Sequence, residues 1–130
     1  MSMQPTSDGI VAVWLDGRAM PEQKAGDDHG HGGHGGGDMS IRTATLGNAS
    51  FGQADFTPEA SRLLDGRTCE CCDTDLAWTS VGPIVVYRDR GADEARDISI
   101  VRRIDEAWTT PKSISKDDWR IEGCLSLIHI

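Results

Sequence analysis

The densest chemistry in the chain is Thr68-Cys69-Glu70-Cys71-Cys72-Asp73, which together with Cys124 holds all four cysteines. Four sulfurs are enough for one tetrahedral Zn²⁺ site or for two disulfides. The C-x-C-C spacing departs from the two-residue knuckles of common zinc sites, and no histidine stands at ligand spacing beside it. Cys69, Cys71, Cys72 and Cys124 therefore read as disulfide or buried cysteines. In an oxidising compartment Cys71 or Cys72 would bridge to a neighbouring structural unit, and in a reducing one they would stay thiols.

A second cluster, PEQKAGDDHGHGGHGGGD at 21–38, sets His29, His31 and His34 beside Asp27 and Asp28. Such donors suit Zn²⁺, Cu²⁺ or Ni²⁺. The glycines give this stretch high conformational entropy and nothing holds the imidazoles in place, so it reads as a solvated loop insertion whose metal binding is weak and adventitious.

Arginines offer a different chemistry, because a guanidinium grips a carboxylate through two parallel hydrogen bonds. Arg18, Arg67, Arg88 and Arg96 fall at expected strand ends or in loops, where binding groups collect. Each reads first as a surface or Asp-paired arginine, with Arg88 beside Asp89 and Arg96 beside Asp97. Tyr87, the sole tyrosine, lies in an apolar run and reads as packed. Asp16 and Asp89 read as turn caps. The candidate set is thus Arg18, Arg67, Arg88, Arg96, Tyr87 and Asp89. Trp14 could be a sugar-stacking platform, but a Trp in such a run reads as core.

These residues must be positioned by the stretch GPIVVYRDRGADEARDISIVRRI, Gly82 to Ile104. It predicts two strands joined by a polar loop. Ile84–Tyr87 is an unbroken β-branched run, expected to be covered on both faces. In Asp97–Val101, Ile98 and Ile100 share one face by the two-residue period. A weaker copy lies upstream. Gly9–Asp16 matches Gly82–Asp89, Asp38–Arg42 matches Asp97–Val101, and Asp65-Gly66-Arg67 precedes Cys71 as Asp118-Trp119-Arg120 precedes Cys124. Recurrence of strand, Asp, loop, Asp, strand, aromatic, strand and Cys predicts a β-propeller over its rival, an antiparallel sandwich.

Elsewhere, residues 1–8 are polar and expected to fray, and Ser40–Leu46 predicts a strand. Thr57–Leu64 supports one helical turn at most. Asp75–Thr79 leads into the main hairpin, and Asp105–Pro111 closes a turn with Trp108 between sheets. Asn48-Ala49-Ser50 is a sequon of a kind common by chance.

Bulk properties narrow the partners. Thirteen basic against 21 acidic residues give a net charge of −8, which opposes a nucleic-acid or anionic-membrane partner. No run approaches the roughly 18 apolar residues of a membrane span. The start, MSMQPTSDG, has neither a basic nor an apolar leader segment. A propeller needs about 4–8 blades, so 130 residues with room for two or three imply an incomplete ring.

With those residues in view, the chain resembles the sialidase (neuraminidase) superfamily, and within it a bacterial branch of sialidase-like six-bladed propellers. The carriers are VAVWLDGR at Val11–Arg18, CECC at Cys69–Cys72, GPIVVYRDR at Gly82–Arg90, RDISIVRR at Arg96–Arg103 and DDWRIEGC at Asp117–Cys124. The superfamily's Asp box is shortened to Asp105-Glu106-Ala107-Trp108, and its Phe/Tyr-Arg-Ile-Pro segment is absent. After Gly123-Cys124 the branch continues Pro-Val-Asn-Gly-Pro, whereas this chain ends Leu125–Ile130.

The resemblance implies an all-β fold, a partial β-propeller of about two to three four-stranded antiparallel blades from a six-bladed parent. Residues 1–124 would form it, with 21–38 as a loop insertion and 125–130 as a non-native tail. The parent would be a secreted or periplasmic glycoside hydrolase removing terminal sialic acid or a related acidic sugar, with no cofactor. Its chemistry would pair an arginine clamp with a tyrosine nucleophile, since an anionic nucleophile is repelled by the sugar carboxylate. The fragment itself is expected to be inactive without its missing blades. The rival is a non-catalytic propeller that binds glycan or protein. The resemblance carries no catalytic residue onto a numbered position here.

Overall fold

The computed structural model describes residues 1–7, 9–20, 38–47 and 61–120. Nine strands follow in order: β1 (Ser2–Thr6), β2 (Gly9–Asp16), β3 (Met39–Gly47), β4 (Arg62–Thr68), β5 (Thr74–Thr79), β6 (Gly82–Arg88), β7 (Ile98–Ile104), β8 (Ala107–Trp108) and β9 (Lys112–Ser115). They form two antiparallel sheets. The first has four strands in the order β1-β2-β3-β4, and the second has five, β5-β6-β7-β8 with β9 also on β7. Among the described residues there is no helix, so none is long and apolar enough to cross a membrane.

The two sheets use one local device. Gly9 opens β2 with φ 157° and Gly82 opens β6 with φ 121°. A Cβ on Gly9 would stand 1.8 Å from the Leu46 carbonyl oxygen, and one on Gly82 would stand 2.6 Å from that of Arg103. Both carbonyls belong to the third strand of their sheet, so each glycine lets the second strand start against the third. Val11–Leu15 and Ile84–Tyr87 accordingly occupy the same place in separate sheets.

Val11, Val13, Ile41 and Leu64 from the first sheet meet Leu76, Val85, Tyr87 and Val101 from the second in one core. Trp108 packs against it, as expected, and so does Leu15. Trp14 is only half-buried and lies outside that cluster, with its indole nitrogen donating to Asp16 Oδ2 at 3.1 Å. The first strands of the two sheets also touch. Ser2 Oγ donates to Asp75 Oδ1 at 2.9 Å, Gln4 Nε2 to the Leu76 carbonyl at 3.1 Å, and Trp78 Nε1 to the Pro5 carbonyl at 3.0 Å.

Three further expectations need correction. Residues 2–6 do not fray: they pair with β2 from Ser2↔Val13 to Thr6↔Gly9, because polar side chains cost nothing at an edge and β5 gives them partners. Arg62–Leu64 belongs to β4 and is not a helical turn, while residues 57–60 lie outside the described residues. The run Ile84–Tyr87 is not covered on both faces, since Val85 and Tyr87 are buried while Val86 is 37% exposed. In β7, Ile98 and Ile100 share one half-covered face as expected, and the opposite, buried face carries Ser99 and Val101.

Candidate functional site

Three stretches meet where β4 ends. The tail of β4 carries Arg67, the crossover to β5 carries Glu70, and the loop from β6 to β7 carries Arg90, Glu94 and Arg96. The Cys69 amide donates to the Arg88 carbonyl at 3.1 Å, and Thr68 bridges to Asp89, which docks the crossover on the loop. The loop is tied to itself: the Gly91 amide donates to the Ala95 carbonyl at 2.8 Å and the Glu94 amide to the Gly91 carbonyl at 3.0 Å. Glu94 sits at its apex with φ 63°, a left-handed conformation uncommon for a non-glycine residue.

The arginines that result share one carboxylate. Glu94 Oε1 accepts from Arg67 Nη2 at 2.7 Å and from Arg90 Nη2 at 3.1 Å. Glu94 Oε2 accepts from Arg90 Nε at 2.9 Å and from Arg96 Nη2 at 3.3 Å. Beneath it, Glu70 Oε2 accepts from Arg96 Nη1 at 3.1 Å and Glu70 Oε1 from Arg90 Nη1. Asp38, at the foot of β3, completes the ion pairs 3.3 Å from Arg67 Nε.

Depth separates these groups. Arg96 is 1% exposed and Arg90 8%, whereas Arg67 and Glu94 are about one-third open to solvent, at 32% and 36%. The Arg90 hydrogen bond and the surrounding guanidinium charge hold the Glu94 carboxyl below its ordinary range. Burial alone would raise Glu70, but its own backbone amide, Arg96 and Arg90 outweigh that and lower it. Hydrogen bonding to Glu94 raises Arg90 further. The cluster sets three arginines, Arg67, Arg90 and Arg96, against three carboxylates, Asp38, Glu70 and Glu94. The buried Arg96 Nε has no hydrogen-bond partner.

The crossover is braced by a disulfide from Cys69 to Cys72, which closes the turn containing Glu70. The Cys71 sulfur lies within 4.8 Å of both, and no described cysteine is a free thiol. These three are the described residues that could gather around a metal ion, and the disulfide engages two of their sulfurs. Cys124 lies outside the described residues, as do His29, His31 and His34.

The arginine cluster contains two of the candidates named from sequence, Arg67 and Arg96. Arg96 does not pair with Asp97, whose carboxylate accepts from the Asp118 amide at 3.1 Å. Arg88 does not pair with Asp89: its Nη1 donates to the Arg96 carbonyl at 2.6 Å and its guanidinium lies 4.9 Å from the centre of the Trp119 ring. Neighbours in sequence point apart in extended chain, so the partners come from other elements. Arg18 stands apart, gripping Asp16 through Nε at 2.8 Å and Nη2 at 2.7 Å. That pairing holds Asp16 well below the carboxylate range. Asp16 does cap its turn, accepting from the Arg18 amide at 3.1 Å, whereas Asp89 lies in the bridge to Thr68 and accepts from the adjacent Arg90 amide at 2.7 Å and the Ser99 hydroxyl at 3.0 Å.

Tyr87 is packed, as its run suggested. It is 1% exposed and its hydroxyl donates to Asp65 Oδ2 at 2.6 Å. Burial, followed by that bond, pushes the phenol far above its ordinary value.

No family model, curated protein or solved structure matches the chain. The geometry must carry the functional reading. Sequence reasoning missed Arg90, Glu70, Glu94, Asp38 and Asp65. One signal was available, the Arg90 and Glu94 spacing across a Gly-containing turn. A small cleft of about 180 Å³ beside Cys72–Asp75 and Val86–Arg88 is lined by none of Arg67, Arg90 and Arg96.

Proposed function

We propose that the two sheets are adjacent blades of a sialidase-like β-propeller and that Arg67, Arg90 and Arg96 form a carboxylate-recognition site for an acidic sugar. The observation that carries this reading is the convergence of three guanidinium groups on one carboxylate, that of Glu94. Guanidinium groups gathered in this way match a sugar carboxylate in charge and in fork geometry. The blade reading draws support from the shared strand order of β1–β4 and β5–β7, from the matched glycines, and from contact between the first strands of the two sheets. A disulfide beside the site accords with an exported parent.

Exo-cleavage of a terminal sialic acid or related acidic sugar is the activity proposed for a ring built from such blades. The alternative is glycan binding without cleavage, and Tyr87 favours it for this pair of sheets. Its hydroxyl is locked on Asp65 inside the core, so it is not available as a nucleophile.

The test is titration of the protein with N-acetylneuraminate, followed by NMR of the arginine side chains, alongside hydrolysis of a fluorogenic sialoside across roughly pH 4–8. Saturable shifts of Arg67, Arg90 and Arg96 that vanish in Arg67→Ala are expected, with no hydrolysis by this chain alone. Unchanged arginine resonances at high millimolar sugar would overturn the carboxylate-site reading.

A further inference from the structure

Within the arginine cluster the two glutamates hold unlike positions. Glu70 is 10% exposed and faces Arg90 and Arg96 from below, on a crossover closed by the Cys69–Cys72 disulfide. It is a fixed counter-ion. Glu94 is 36% exposed, faces Arg67, Arg90 and Arg96 from the solvent side, and is carried by a tight turn whose backbone bonds do not involve its side chain. Its backbone is in the left-handed region, a conformation held in place by its surroundings. Both oxygens of its carboxylate are engaged by guanidinium nitrogens, four bonds in all, as a bound carboxylate would be.

We infer that Glu94 is an internal occupant of the carboxylate site, which an incoming ligand carboxylate must displace. The inference rests on the reading of Arg67, Arg90 and Arg96 as a carboxylate site. Rotation of the Glu94 side chain toward solvent leaves the Gly91–Ala95 turn intact and opens Arg67 and one edge of Arg90. Glu70 stays behind beneath Arg90 and Arg96, and Asp38 stays beside Arg67 and Arg90, so three guanidinium groups face two carboxylates and the vacated place offers surplus positive charge to one anionic group. Affinity is then reduced by the fraction of molecules in which Glu94 has swung out. The ligand class is a monocarboxylate small enough to seat one –COO⁻ group between Arg67 and Arg90, and a neutral sugar has no means of displacing the glutamate.

The test compares N-acetylneuraminate binding by the full 130-residue chain and by Glu94→Ala and Glu94→Gln, with circular dichroism to establish that each variant is folded. Tighter binding by both variants is expected, about tenfold if one molecule in ten is open. Because loss of Glu94 leaves Arg90 short of a partner, the unmodified chain supplies a second readout. With ¹³C-labelled glutamate, the Glu94 carboxyl resonance should move toward that of a solvated glutamate as the ligand is added. Binding of equal strength in all three proteins, with that resonance unmoved, overturns the displacement while leaving the carboxylate site standing. No binding by any of them overturns the site itself, and the displacement falls with it.

Discussion

Tyr87 and Asp65 link the two sheets through a half-buried hydrogen bond of 2.6 Å, from a phenol on β6 to a carboxylate on β4. Burial raises the Asp65 carboxyl above its ordinary value of 3.8, and the Tyr87 hydroxyl offsets part of that rise by donating to the ionised form. The folded protein therefore holds this proton more tightly than the unfolded chain. Its contribution is most favourable while Asp65 is protonated and is lost as pH climbs from the ordinary carboxyl value through the raised one.

Tyr87→Phe removes the donor to Oδ2 of the half-buried Asp65, which keeps the Arg67 amide on Oδ1 at 3.1 Å. A loss of about 1–3 kcal/mol is expected at neutral pH. Asp65→Asn keeps an acceptor for the hydroxyl and abolishes the titration, so its urea midpoint should vary less with pH than that of the parent protein. Parallel pH profiles for the two proteins would remove Asp65 as the source.

Glu70 lies beneath the arginine cluster, bonded to Arg96 and Arg90. Glu70→Gln takes the counter-ion from two largely buried guanidinium groups, and breaking a buried pair from one side costs roughly 3–5 kcal/mol. Glu94 remains to neutralise part of that charge, so the lower end is expected. Replacing the pair together, Glu70→Leu with Arg96→Met, should be less damaging than Glu70→Gln alone. Urea denaturation of the two proteins decides it, and a double variant that is the weaker of the two contradicts the assignment.

Gly9 and Gly82 are the most direct test of the repeated sheet. At each position a methyl group would collide with a carbonyl of the third strand, and the backbone lies at positive φ. Gly82→Ala should cost roughly 1–3 kcal/mol, and Gly9→Ala more because its approach is closer. Equal thermal midpoints for Gly82→Ala and the parent protein would show that the approach relaxes freely.

Local pattern was enough for much of the framework. Gly9–Asp16, Met39–Gly47 and Gly82–Arg88 are strands because short runs rich in β-branched and apolar residues lie between turn-forming ends, a property each segment carries alone. The turn-capping Asp16 was legible for the same reason, since a cap and its amide are near neighbours in sequence. Ser2–Thr6 was not, because an edge strand of polar residues is defined by the strand it pairs with.

The site divides in the same way. The residue types identified arginines as the groups able to hold a carboxylate, and Arg67 and Arg96 as two of them. Which charges meet was decided by tertiary structure. Arg96 turns from adjacent Asp97 to Glu70, 26 residues away, and Arg67 reaches Glu94 across 27. Sequence fixes propensities over a few residues, whereas an ion pair between loops depends on how two sheets dock, and docking is set by the shared core from Val11 to Val101.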